Sequence, residues 1–291
     1  MTLPRPMGVT DCHVHINPLW EMRPEVRALF GNMLPDDARL AYQTDARAFL
    51  DYLDRCGVDR AVLVNYVSPD VIGYTVKAND FVSEYVRADP ERLIAVGGVL
   101  PTHPDPGAEV ERLVTKLGIR GIKIHPPHQG FRPNAYVDGG FPGLKAIYAA
   151  CERLHVPVIV HTGTSVFPGA RNRFADPMYV EDVAIDFPEL TLVLAHGGRP
   201  LWMAGAMFLT RRFPRVYLEI SGVPPAKLLE YFPDLARLSG RVLFGSDWPG
   251  PGVRDIGENL RTFRALPLPE ATQRQILETN PEVVFPRRAV K

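Results

Sequence analysis

The sequence has little cysteine, no excess of charge of either sign and no long apolar run, and each shortage removes a class of protein. Only Cys12, Cys56 and Cys151 occur among 291 residues. An odd, sparse set is not a disulfide framework, and a reducing, cytoplasmic setting is expected. Lys plus Arg and Asp plus Glu number 33 each, so the formal net charge is zero. No basic block appears, and neither a nucleic-acid partner nor a membrane surface is expected. No stretch approaches the roughly 20 apolar residues that span a bilayer. The opening Met1-Thr-Leu-Pro-Arg-Pro lacks the apolar core of a signal peptide. Linkers and low-complexity segments are also missing, so one domain is expected over residues 1–291.

What is present is a regular alternation. Runs rich in β-branched residues read as strands at Val9–His15, Arg60–Tyr66, Leu93–Leu100, Ile119–His125, Val156–His161, Leu190–His196, Val216–Ser221 and Val242–Asp247. Between them lie stretches with helical apolar spacing, among them Ala46–Arg55, Asn79–Ala88, Ala108–Leu117, Leu144–Leu154 and Pro225–Leu238. Eight strand–helix units predict a closed parallel sheet, the (β/α)8 TIM barrel, which typically needs about 250 residues. Helix-to-strand turns are short, as in Cys56-Gly-Val-Asp, whereas strand-to-helix connections are long. Insertions therefore gather at the strand C-termini, the catalytic face of this fold. The stretch Leu19–Arg47 is expected to be a partly helical insertion that lids the barrel.

Polar residues recur at the strand tips. Asp11-Cys12-His13-Val14-His15 ends the first strand, and alternation sends His13 and His15 to one side, where two imidazoles can grip one metal ion. Alone, the pair suits two polar loop residues equally well. His161, His196 and Asp247 end three further apolar runs, each followed by Gly or Pro punctuation. Five such groups converging on one barrel mouth would be expensive to bury without a metal or mutual hydrogen bonds. Cys12 alternates away and reads as packing. Asp11 reads as support for His13 or as a structural hydrogen bond.

The ordered set Asp11-x-His-x-His, Gly121-Ile-Lys-Ile-His-Pro, His161-Thr-Gly, Leu194-Ala-His-Gly-Gly and Phe244-Gly-Ser-Asp-Trp-Pro resembles the amidohydrolase superfamily. The likeness runs from Val9 to about Pro286 and is strongest to the branch that includes aminocarboxymuconate semialdehyde decarboxylase. It implies one divalent metal on His13, His15, His161 and Asp247, with His196 as acid/base; Asp247 would also orient the metal-activated water or accept its proton. Three imidazoles and a carboxylate suit Zn²⁺, with Mn²⁺ also acceptable. Lys123 is either a carboxylated bridge between two metals or a free ammonium for an anionic substrate; the mononuclear character of the branch favours the ammonium. His125 then lines the pocket with Gln129. Arg199, Arg171 and Arg173 follow strands on the catalytic face, where guanidinium forks match carboxylates. Trp248 and Ser221 end strands beside the site and are expected to contact substrate. His103, His128 and His155 receive no role.

The resemblance implies an enzyme. Hydrolysis of an ester, lactone or amide bond of a small carboxylate-bearing substrate is expected first. Non-oxidative decarboxylation of an aromatic or unsaturated acid is the alternative, and a metal-free binding protein a second. A homodimer is a further expectation.

Overall fold

The computed structural model describes residues 8–31 and 37–287. Among the described residues there are eight strands: β1 (Thr10–Val14), β2 (Arg60–Val64), β3 (Leu93–Val96), β4 (Ile122–Ile124), β5 (Val158–His161), β6 (Leu192–Ala195), β7 (Val216–Glu219) and β8 (Val242–Leu243). They read as continuous apolar runs because a parallel sheet is covered on both faces. Strands β1 to β3 form one parallel ladder and β4 to β8 another. Two seams join the ladders. Gly97 bridges Ile122, with Lys123 N–H donating to Gly97 O at 2.7 Å. Val14 bridges Trp248, and Cys12 N–H donates to Phe244 O at 2.9 Å. The ring closes, and the expected (β/α)8 TIM barrel is the fold.

Alternate residues sort into two cores. Val62, Val64, Ile94, Val96, Ile159, Val193 and Leu243 fill the lumen, where Val284 and Phe285 join them. Arg60, at the start of β2, donates to Phe285 O at 2.6 Å and to Glu282 Oε1 at 2.8 Å, tying the C-terminal segment under the strand N-termini. Residues of the other parity pack against the helices. The helix Ala46–Cys56 shows the local logic. Asp45 accepts from the N–H groups of Arg47 and Ala48, a cap worth about 1 kcal/mol. Phe49, Tyr52 and Leu53 form its buried stripe, and Gly57 ends it at φ 73°.

Two expectations change in detail. The stretch Pro225–Leu238 is not one helix but short pieces at Pro225–Lys227, Leu228–Tyr231 and Leu235–Arg241. Pro233 has no N–H, and Phe232 before it leaves the helical region at ψ 73°. Cys12 lies in the lumen, because the β1–β2 register shifts between Asp11 and Val14. That irregularity lets His13 follow it inward. The insertion after β1 carries helices α1 (Pro24–Gly31) and α2 (Asp37–Tyr42), and Met22 and Val26 line the cavity below. Residues 32–36 of the expected lid lie outside the described residues. Among the described residues no helix is long and apolar enough to cross a membrane.

Candidate metal centre

The strand C-termini surround a cavity of about 260 Å³. His13, His15, Lys123, His125, His161, His196, Arg199 and Asp247 all line it, so the topology gathers these eight of the residues expected at the site. His196 and Asp247 have left-handed backbones, both at φ 67°. Non-glycine residues rarely adopt that conformation, and its cost concentrates at functional sites. Here it turns both side chains into the mouth just past the strand ends.

Hydrogen bonds fix which ring nitrogens carry protons. His15 Nδ1 lies 2.8 Å from Val64 O, and a carbonyl can only accept, so Nδ1 bears the hydrogen. His13 Nδ1 lies 2.9 Å from Glu219 Oε2 and donates to that carboxylate. Both Nε2 lone pairs therefore face Asp247 Oδ1, at 3.2 Å from His15 and 3.8 Å from His13. Burial, then the Lys123 ammonium, hold the His13 imidazole well below its ordinary range, so it is neutral. Burial pushes the Asp247 carboxyl up, but its surroundings, the Arg199 guanidinium among them, outweigh it and hold it below its ordinary range.

Three lone-pair donors thus converge on one point, and His13 Nε2 is buried with no hydrogen-bond partner. Tetrahedral ligands at 2.0–2.2 Å from Zn²⁺ stand roughly 3.3–3.6 Å apart, close to the spacing seen. A divalent cation fits this donor set. His13, His196 and Glu219 also cluster within 4.8 Å, but Glu219 already accepts the His13 N–H, so that group reads as a hydrogen-bond network.

Glu219 is the residue that strand-tip reasoning missed. Its carboxylate receives four donors: Ser221 N–H at 2.6 Å, Ser221 Oγ–H at 2.8 Å, His13 Nδ1–H at 2.9 Å and His196 N–H at 3.4 Å. Gly245 makes room, since a Cβ there would stand 2.4 Å from Glu219 Oε1 and 2.7 Å from His13 Cβ. Because Ser221 gives its proton to Glu219, its Oγ accepts from His196 Nδ1 at 2.9 Å, and the Ser221 carbonyl faces the same nitrogen at 3.2 Å. His196 is thereby left with a bare Nε2. Burial, then Arg199, lower its basicity and keep it neutral. A lone carboxylate in the otherwise apolar Val216–Ser221 run was the available signal.

His161 stands outside the three-donor cluster. Its Nε2 lies 3.2 Å from Gly163 O, and its ring stacks on His125 at 3.8 Å between centroids. Burial pushes the Lys123 ammonium down and the Glu219 carboxyl up. Lys123 Nζ and His125 Nδ1 are both buried without hydrogen-bond partners. Arg199 donates to Gly222 O at 2.7 Å, Thr164 O at 3.1 Å and Asp247 Oδ2 at 3.5 Å, which leaves part of its fork for a ligand. Gly222 is required beside it, because a Cβ would lie 2.5 Å from Arg199 Nη2.

Some expected contacts are absent. Trp248 is fully buried against Phe49, at 5.9 Å between centroids, and does not line the cavity. Its neighbour Asp247 takes the inward direction, which sends the indole outward to the helices. Gln129 is spent on the His125 N–H and Val67 O, and Arg171 and Arg173 are exposed outside the cavity. Ser221 sits behind His196 rather than on the wall. Asp11 Oδ1 accepts from the N–H groups of His13 and Ser246, joining β1 to the segment after β8. His128, given no role from sequence, lines the cavity with Tyr66, Ser165 and Phe167.

A histidine–carboxylate cluster at the C-terminal mouth of a closed barrel defines a class of metal-dependent barrel enzymes. The chain belongs to the amidohydrolase family, whose sequence profile matches residues 10–287. No curated protein sequence matches it. Among solved structures it is similar to an uncharacterised TIM-barrel protein of Bordetella bronchiseptica, with TM-score 0.72 and 22% identity over 95% of this chain and 97% of that one. It is also similar to 2,6-dihydroxybenzoate decarboxylase in complex with 2,6-dihydroxybenzoate, with TM-score 0.68 and 20% identity over 96% and 98%. A 5-carboxyvanillate decarboxylase of Novosphingobium aromaticivorans with bound manganese gives TM-score 0.66 and 19% identity over 96% and 97%. At these identities the likeness shows the fold.

Proposed function

We propose that the chain is a metal-dependent hydrolase that opens an ester, lactone or amide bond of a small carboxylate-bearing substrate. The observation that carries this reading is the proton inventory of His196. Its Nδ1–H is committed to Ser221, which leaves Nε2 as the basic nitrogen of a ring that lines the cavity together with Asp247. A Zn²⁺ or Mn²⁺ ion held by His13, His15 and Asp247 would supply Lewis acidity and make water acidic at neutral pH. His196 Nε2 then takes the proton from the attacking water and passes it to the leaving group. Ser221 and Glu219 keep that ring in one tautomer throughout. Arg199 and the buried Lys123 hold the substrate carboxylate, and Met22 and Val26 of the insertion limit entry of bulk water. His161 would join the ligands only by turning off Gly163 O.

Decarboxylation of a planar unsaturated acid is the second reading. It is favoured by the aromatic wall of Tyr66, His125, His128 and Phe167 and by the two decarboxylases of similar fold. One experiment separates the two. The zinc- or manganese-loaded enzyme is incubated in ¹⁸O-water with carboxylated lactones, esters and aromatic acids, and products are read by mass spectrometry. Hydrolysis places one ¹⁸O in the product acid. Loss of CO₂ without label in the organic product would replace this reading with the second.

A further inference from the structure

Three cavity-lining side chains that the hydrolytic step does not use are joined in a line. Tyr66 Oη lies 2.9 Å from His128 Nδ1, and His128 Nε2 lies 2.7 Å from Ser165 Oγ. The line sits at the far end of a row of rings that runs from His13 through His196, His161 and His125 to His128, each within 5 Å of the next. His128 is 4% exposed, and burial holds it down to about 3. The ring is therefore neutral and carries a single N–H. Phenol, imidazole and hydroxyl bring three protons to two links, so one hydroxyl proton is always left over for the cavity.

The direction of the line follows from its ends. Ser165 Oγ also faces the Phe167 N–H at 3.3 Å, which suits an oxygen that accepts on its protein side. Burial pushes the Tyr66 phenol up from its ordinary range, yet a phenol remains a better donor to imidazole than an equally buried alkyl hydroxyl. Tyr66 thus donates to Nδ1, Nε2–H donates to Ser165, and the Ser165 O–H is free to point into the cavity. Its seat is rigid. Asn172 accepts the Ser165 N–H at 2.8 Å and donates to the Ser165 carbonyl at 3.1 Å. Thr164 beside it exchanges hydrogen bonds with Arg199, at 2.8 Å from its N–H and 3.1 Å to its carbonyl.

We infer that Ser165 is a substrate-binding residue whose hydroxyl donates to a second carboxylate of the substrate, remote from the bond that breaks. Tyr66 and His128 are positioning residues that fix the direction of that hydroxyl. The inference rests on the reading of a small carboxylate-bearing substrate and narrows it to a compact planar acid with a second oxyanion. Arg199 and Lys123 supply cationic groups suited to such a dianion in a cavity of about 260 Å³.

The test compares benzoate with isophthalate, which adds a second carboxylate, by titration calorimetry on the zinc-loaded chain. Isophthalate is expected to bind roughly 10-fold or more tightly than benzoate, the worth of one hydrogen bond to a charged oxygen. Ser165→Ala should bring that ratio near one with zinc content and benzoate affinity retained, and Tyr66→Phe should reduce it by less. A ratio near one in the unmodified chain, or a ratio that survives Ser165→Ala, overturns the inference and leaves the hydrolytic reading standing. Failure of benzoate itself to bind overturns both. Independently of any ligand, ¹⁵N imidazole spectra of the unmodified chain should place the His128 proton on Nε2; a proton on Nδ1 would reverse the line and sink the assignment.

Discussion

Replacing Glu219 by Gln tests whether one buried carboxylate governs two imidazoles. Glu219 accepts from His13, Ser221 and His196 and donates to none of them. A Gln amide has one acceptor and one donor end. With its NH₂ on the His13 side, His13 must move its own proton to Nε2, and that nitrogen is lost as a ligand. With its NH₂ on the Ser221 side, two N–H groups face each other across the present 2.6 Å contact. The first arrangement forfeits a donor and the second strands a buried polar group, which costs about 1–3 kcal/mol. Loss of a partner that orients a metal-bound histidine typically weakens metal binding about 10–100-fold, or about 1.4–2.7 kcal/mol. Competition with a chromophoric zinc chelator measures this directly, and thermal unfolding of the metal-free chain reports the stability term separately. Zinc affinity of Glu219→Gln equal to that of the unmodified chain would refute the claim that Glu219 sets the His13 tautomer.

Three further substitutions separate the site from its scaffold. Arg60→Ala should cost about 1–3 kcal/mol by stranding the Phe285 carbonyl, with Glu282 keeping its pair to Arg287, while metal content is unchanged; a melting temperature within about 2 °C of the unmodified chain would contradict the buried latch. Gly222→Ala should displace the Arg199 guanidinium, which lies 2.5 Å from the new Cβ, and weaken benzoate about 10-fold or more with zinc retained; unchanged benzoate affinity would remove Arg199 from the ligand contacts. Trp248→Phe should lower stability by about 1–3 kcal/mol through the void left beside Phe49, and leave benzoate affinity within about twofold; a selective loss of binding would return the indole to the pocket.

The barrel was legible because its signal is redundant. Eight apolar runs separated by helical spacing admit few topologies, and the short turns before strands and long loops after them orient the mouth. The Pro225–Leu238 stretch misled because apolar spacing ignores the missing N–H of Pro233. At the site, His13, His15, His196 and Asp247 were readable as polar residues closing apolar strands. Trp248 was misplaced because sequence adjacency to Asp247 hides the reversal of direction between neighbours. Glu219 and His128 were missed for different reasons. Glu219 shows in sequence only as a lone carboxylate in an apolar run, and its role appears only when its four donors are seen in space; His128 follows a strand by a one-turn helix, Pro126–Gln129, whose facing no strand alternation predicts. The rotation of His161 onto Gly163 O is a side-chain choice that sequence does not encode.

The most direct test of the account is the metal content of the purified chain beside that of Asp247→Asn, both measured by plasma mass spectrometry after zinc reconstitution. Near one equivalent in the unmodified chain, lost in a variant that remains folded, is the result expected of a single ion shared by His13, His15 and Asp247. No bound metal in the unmodified chain, or one equivalent kept by Asp247→Asn, would contradict it.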